Sequence, residues 1–132
     1  SELVEASGGF KDGVKKVISG GPMMGMALST VDIPVVKTSS ALTCFMEDEV
    51  EKYEETACIR CGKCAQVCPS HVIPQKLMEA AQHYDIERFT ALNGMECCEC
   101  GCCTFICPAK RPLTQAFKQM RQAVAAERRK KK

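Results

Sequence analysis

The sequence predicts an α+β chain: a small β-rich module over residues 1–46, followed by an α-helical domain over residues 57–126. Three observations carry this expectation. Short β-branched segments with Gly and Pro corners fill the first 46 residues. A cysteine run of the form C-x2-C-x2-C-x3-C-P then occurs twice, at Cys58, Cys61, Cys64, Cys68, Pro69 and at Cys97, Cys100, Cys103, Cys107, Pro108, offset by a constant 39 residues. Each run is followed by a proline and then by an apolar stripe of helical period.

In the leading segment, Val14 to Ile18 alternates loosely and ends at Ser19-Gly20-Gly21-Pro22, a strong turn signal. Met23 to Leu28 is a short apolar run broken by Gly25. Val35 to Thr38 favours a strand after the turn at Asp32-Ile33-Pro34, and Ala41 to Met46 reads as a last strand containing Cys44. The module need not be complete at its N-terminus. The Gly20 to Gly25 segment resembles a phosphate loop, but it lacks the Lys-Ser/Thr pair and a following helix, so a tight turn is the better reading.

Residues 47–56 form an acidic linker, with six acids against one lysine between Glu47 and Glu55. After the first run Pro74 suits a first helical position, where its missing N–H costs nothing. Leu77, Met78, Ala81 and Tyr84 form one apolar face. A second helix turns Ile86, Phe89 and Leu92 inward and stops at Asn93-Gly94. Pro112 opens the last helix, whose stripe is Leu113, Ala116, Phe117, Met120 and Val124. Beyond Ala126 the stripe ends, and residues 127–132 read as a basic disordered tail. The halves are an internal repeat, which predicts an approximate two-fold axis.

The doubled run is the spacing by which bacterial-type proteins hold [4Fe–4S] clusters. Three thiolates share one loop whose amides can face an anionic cluster, and the fourth cysteine reads as beginning a helix that leads away. Where two such clusters share a chain, the fourth cysteine ligates the other cluster. The assignment is therefore Cys58, Cys61, Cys64 and Cys107 for one cluster, and Cys97, Cys100, Cys103 and Cys68 for the other. Cys98 and Cys102 align with Ile59 and Lys63, which cannot be ligands, and read as spare thiols. Val67 and Ile106 align as apolar packing. Structural zinc needs only two C-x2-C pairs, and a disulfide framework is at odds with eleven cysteines grouped on tight loops. Eight cysteine ligands would leave each cluster coordinatively closed, so one-electron transfer is the expected task and no catalytic residue is assigned.

Only two Tyr, five Phe and no Trp are present, so clusters would staple a thin core. The net charge of +2 excludes little. No basic stripe with interleaved aromatics suggests nucleic acid. No apolar stretch approaches a membrane span, and thiolates without an export signal point to a cytoplasmic setting. The chain lacks an initiator Met and reads as a piece of a longer protein. Cys44 reads as a small buried hydrophobe, His71 as a surface residue and His83 as structural. Arg60 and Lys63 would raise the potential of the first cluster relative to the second, which has Glu99 in place of Arg60.

Ile18 to Leu28 (ISGGPMMGMAL), Pro34 to Ser39 (PVVKTS) and Cys58 to Cys64 (CIRCGKC), in that order, resemble the C subunit of the Rnf electron-transport complex. The resemblance implies that the leading module is a ligand-binding β-grasp and that the cluster domain is an α-helical ferredoxin. The 28 residues between the runs suit that helical form. It further implies a peripheral cytoplasmic subunit on the inner face of the cell membrane. Its partners would be the other subunits of an ion-translocating NADH/ferredoxin oxidoreductase. FMN and NADH are expected only in an upstream flavin/nicotinamide domain of the same protein, outside this fragment. Two alternatives are a corrinoid-reducing iron–sulfur flavoprotein of the propanediol-utilisation type and a binding module with a structural metal.

Overall fold

The computed structural model describes residues 2–130, with Glu49 described by its backbone alone. The chain forms two compact units, which divide between Tyr53 and Glu54 inside the acidic stretch. That stretch carries its own structure: Glu49–Lys52 is a 3-10 turn, with the Asp48 side chain accepting from the Val50 amide.

The first unit opens with a helix that the β reading of residues 1–46 did not include. This helix, α1 (Glu2–Ala6), buries Val4 and closes at Gly8 and Gly9, both in the left-handed region. A three-stranded antiparallel sheet follows, with β1 (Lys16–Ser19) between β2 (Met26–Ala27) and β3 (Leu42–Phe45). Ile18 pairs with Ala27 on one side and with Thr43 on the other, and its side chain is buried. The glycine-rich segment is the β1–β2 connection, closed by the Gly25 amide donating to the Gly21 carbonyl at 2.7 Å. A Cβ on Gly25 would lie 2.3 Å from Ile18 Cγ2, so this turn requires glycine there.

The Val35–Thr38 segment is not a strand. Val35 and Val36 are exposed, and a turn at Lys37-Thr38 is held by Ser39, whose amide donates to the Val36 carbonyl. β-Branched residues favour a strand only where a neighbouring edge is available to pair. Cys44 is exposed on β3, which corrects its reading as a buried residue; the alternation of the strand leaves that face open.

The second unit is helical. Each cysteine run contains one short helix, α2 (Lys63–Gln66) and α5 (Cys102–Ile106), and these pack on each other. Each fourth cysteine therefore follows a short helix instead of beginning a long one. The long helices start further on: α3 (Pro74–Gln82), with Pro74 at its first turn, and α6 (Leu113–Lys130). Between them lies α4 (Ile86–Ala91), capped by the Asp85 carboxylate accepting from the Arg88 amide at 2.9 Å.

The core of this unit joins Leu77, Met78 and Ala80 of α3, Phe89 of α4, and Leu113, Phe117, Met120 and Val124 of α6. The Phe89 and Phe117 rings tilt at 49° with centroids 6.3 Å apart, a favourable aromatic geometry. Tyr84 departs from the expected apolar face: it is exposed, in the left-handed residue just past α3. Val67 and Ile106 are also part-exposed, so they do not pack inward as their alignment suggests. The expected disordered tail differs as well. α6 continues through Lys130, with Arg128, Arg129 and Lys130 in its last turn, where cations oppose the helix dipole. Lys131 and Lys132 lie outside the described residues.

Candidate metal centre

The two cysteine loops have the same backbone. Arg60 and Gly62 in the first, and Glu99 and Gly101 in the second, all have positive φ between 55° and 85°. A third pair, His71 and Lys110, repeats the conformation three residues after each fourth cysteine. All three pairs keep the offset of 39. Left-handed residues inside a tight loop turn successive N–H groups to one side, which makes an anion-binding concavity. Gly62 and Gly101 then serve as N-caps of α2 and α5. A Cβ on Gly62 would meet nothing, so its requirement is conformational.

Two cavities lie against these loops. The first is lined by Cys58, Cys61, Cys64 and Cys107, together with Arg60, Gln75, Arg111 and Leu113. The second is lined by Cys97, Cys100, Cys103 and Cys68, together with Cys98, Glu99, Ser70, Val72 and Thr114. Each cavity thus gathers the first three run cysteines of one loop and the fourth of the other run, and the second also has Cys98 in its wall. Position by position, the lining of one maps onto that of the other through the 39-residue offset. Arg111 corresponds to Val72, Gln75 to Thr114 and Ala109 to Ser70.

The crossing follows from how the segments are tied. The Thr56 amide donates to the Ala109 carbonyl at 3.1 Å, and Arg111 Nε donates to Glu55 Oε1 at 3.1 Å. These bonds bring the chain just after Cys107 against the chain just before Cys58. At the second cavity, Thr114 Oγ1 lies 2.9 Å from Thr104 Oγ1 and 3.7 Å from Cys103 Sγ. The Glu99 amide donates to Cys97 Sγ at 3.4 Å, the kind of N–H···S contact that a left-handed loop offers.

Burial pushes the Cys64, Cys97 and Cys103 thiols above their ordinary value. Hydrogen bonding with Ser70 and with the Cys100 amide draws Cys98 down. At Cys100 a backbone hydrogen bond from Cys102 acts downward, yet burial and the sulfur contacts with Cys102 and Cys98 leave it pushed up to about 11. Cys98 is thus part of the second wall, although its alignment with Ile59 argues against a ligand role. Cys102 also touches Cys100 and does not line either cavity.

Charge is distributed unevenly. Glu99 is ion-paired with Arg121 of α6, whose buried Nε has no hydrogen-bond partner among the described residues. Sequence reasoning passed over Arg111 and Arg121: Arg111 lies in the short link ahead of α6, beside Lys110, and Arg121 sits among Lys118, Gln119 and Gln122, so neither stands out by pattern. Among the described residues, no three His, Cys, Asp or Glu side chains are set to hold one metal ion. A single zinc would draw its sulfurs to about 2.3 Å from one point. A cubane, with a metal at each of four corners, holds its thiolates further apart. The donor set, four soft thiols in the first cavity and five in the second, fits an iron–sulfur group. No described helix is long and apolar enough to cross a membrane.

Comparison with known proteins gives a consistent result. Residues 51–73 match the 4Fe-4S binding domain family. The chain is 40% identical over 128 residues to the C subunit of the Na(+)-translocating ferredoxin:NAD(+) oxidoreductase complex of Acetobacterium woodii, covering 97% of this chain and 29% of that protein. It is 45% identical over 76 residues to the C subunit of the proton-translocating ferredoxin:NAD(+) oxidoreductase complex of Clostridium ljungdahlii, covering 58% of this chain and 17% of that protein. The chain thus spans less than a third of the length of these curated relatives. It is a homologue of part of the Rnf-type C subunits, and it carries a 4Fe-4S binding domain.

Proposed function

We propose that this chain is a one-electron relay, holding two [4Fe–4S] clusters within the C subunit of an ion-translocating ferredoxin:NAD(+) oxidoreductase complex. Cys58, Cys61, Cys64 and Cys107 would hold one cluster, and Cys97, Cys100, Cys103 and Cys68 the other. The observation that supports the reading is the composition of the two cavities: Cys58, Cys61 and Cys64 line the first with Cys107 of the other run, and Cys97, Cys98, Cys100 and Cys103 line the second with Cys68 of the other run.

A [4Fe–4S] cluster, when bound, accepts and returns a single electron without a change of ligands. The residues of the chain supply the rest. The left-handed loops would turn amides toward the anionic group, and buried Cys103 and Phe117 would limit water at the second site. A full set of cysteine ligands leaves no open metal position for substrate. The three-stranded sheet would be part of a β-grasp ligand-binding module, joined to the cluster domain through the acidic stretch at residues 47–56. FMN and NADH would bind upstream in the same protein, and the neighbouring subunits of the complex would exchange electrons with the relay. The subunit would sit peripherally on the inner face of the membrane.

Anaerobic loading with iron and sulfide tests the proposal. The expected product is a brown protein with two four-iron clusters, bleached by dithionite, showing EPR signals of interacting spins. C68A and C107A, made separately, should each weaken a different cluster. One cluster per chain, both clusters kept in the C68A/C107A double variant, or a colourless zinc protein would refute it.

A further inference from the structure

The walls of the two cavities correspond residue by residue, but their charges do not. Arg60 beside the first run stands where Glu99 stands beside the second. Arg111, buried in the wall of the first cavity, stands where Val72 is buried in the second. The negative charge of Glu99 is matched by Arg121. Arg111 is matched by Glu55, but the Glu55 side chain is 46% exposed against 10% for Arg111, so water screens the carboxylate more than the cation. Arg60 adds a second positive charge. The first cavity therefore holds surplus positive charge, and the second is close to balanced.

Exposure acts in the same direction. Cys58 and Cys61 are exposed, whereas Cys97 and Cys100 are half-buried and Cys103 is buried. A cluster becomes more negative on reduction, so nearby cations and access to water both favour its reduced state. Hydrogen-bond donors to sulfur oppose this order at one position only: Ser70 lines the second cavity where Ala109 lines the first, while Thr114 and its counterpart Gln75 can both donate. Those hydroxyls are neutral dipoles, and Thr114 is already engaged with Thr104 at 2.9 Å. A neutral dipole falls off faster with distance than the full charge of Arg111 or Arg60, so the charges decide the order.

Resting on the two-cluster reading above, we infer that the two centres are electrically unequal. The site bounded by Cys58, Cys61, Cys64 and Cys107 has the higher potential, and a single electron shared between the sites resides there. Transfer from the second site oxidises that cluster by one electron and reduces the first by one, with no proton or ligand exchanged. Arg111 and Arg60 are positioning charges that set the order.

The test is an EPR-monitored redox titration of the full chain, loaded with both clusters and checked for iron and sulfide. Two midpoints are expected, separated by at least a tenfold preference, which is 59 mV for a one-electron couple. R60E should lower the upper midpoint and leave the lower one in place. Glu99 already holds the same left-handed conformation at φ 56°, so glutamate at position 60 adds no new strain. R111M should lower the same midpoint, and R111K should restore it. If R111M fails to retain iron, R60E alone decides. Coincident midpoints in the parent protein, or a lower midpoint that moves with R60E, would overturn the inference while leaving the two-cluster reading intact. A parent chain without two clusters would overturn that reading and the inference with it.

Discussion

The ring of Phe89 occupies the space in which a side chain on Gly94 would stand. A Cβ on Gly94 would lie 2.4 Å from Phe89 Cε1 and 2.5 Å from Cζ, well inside contact distance. Phe89 is fully buried and packs on Phe117, so the ring cannot yield cheaply. This contact sets the sharp turn after α4 that delivers the chain to the second cysteine loop.

Gly94→Ala should therefore destabilise the second unit by about 1–3 kcal/mol, the usual cost of overpacking a core. Chemical denaturation of the cluster-loaded protein would measure it. An unchanged midpoint would mean that the turn can shift away from the ring.

Cys98 and Cys102 have no counterpart thiols in the first run, and Cys98 nevertheless lines the second cavity. C98S/C102S should retain the full iron and sulfide content of the parent, since Cys97, Cys100, Cys103 and Cys68 remain. Loss of about half the iron in this variant would show that one of the two is a ligand.

The thiols give cluster loading a definite pH dependence. Cys64, Cys97 and Cys103 are pushed up by burial, and Cys100 to about 11, so these groups carry protons at neutral pH in the cluster-free fold. Iron must displace those protons, and loading should strengthen as pH rises from 7 to 9. The cluster-free fold should change in the opposite sense. Unfolded thiols ionise near about 8.5, below the folded values, so the unfolded chain binds fewer protons and stability falls as pH rises through that range. Cys98, drawn down, acts against this trend as a single group. Thermal melts of the apo protein at pH 7 and 9, set beside iron-binding titrations at the same values, should move in opposite directions.

Much of the second unit was legible because it is written twice. The repeat fixed which cysteines correspond, and prolines at positions 74 and 112 marked the starts of α3 and α6 to within one residue. The short helices α2 and α5 escaped notice because four or five residues around a cysteine loop have no readable period. Arg111 and Arg121 escaped because an ion pair formed across the fold has no sequence pattern of its own; the partners, Glu55 and Glu99, lie far away in sequence. In the first unit Val35 and Val36 misled for a related reason. Their β-branched side chains speak of conformation, while a strand also needs a free edge beside it, which is a tertiary fact.

The exchange of fourth cysteines between the cavities makes the two halves of the repeat interdependent. Here neither half is self-sufficient, since the wall of each cavity is completed by a residue 39 positions from its expected place. A truncated product ending in α4 would keep three thiols on one loop and a fourth facing nothing. Each half of the repeat thus depends on the other for one wall of its own cavity.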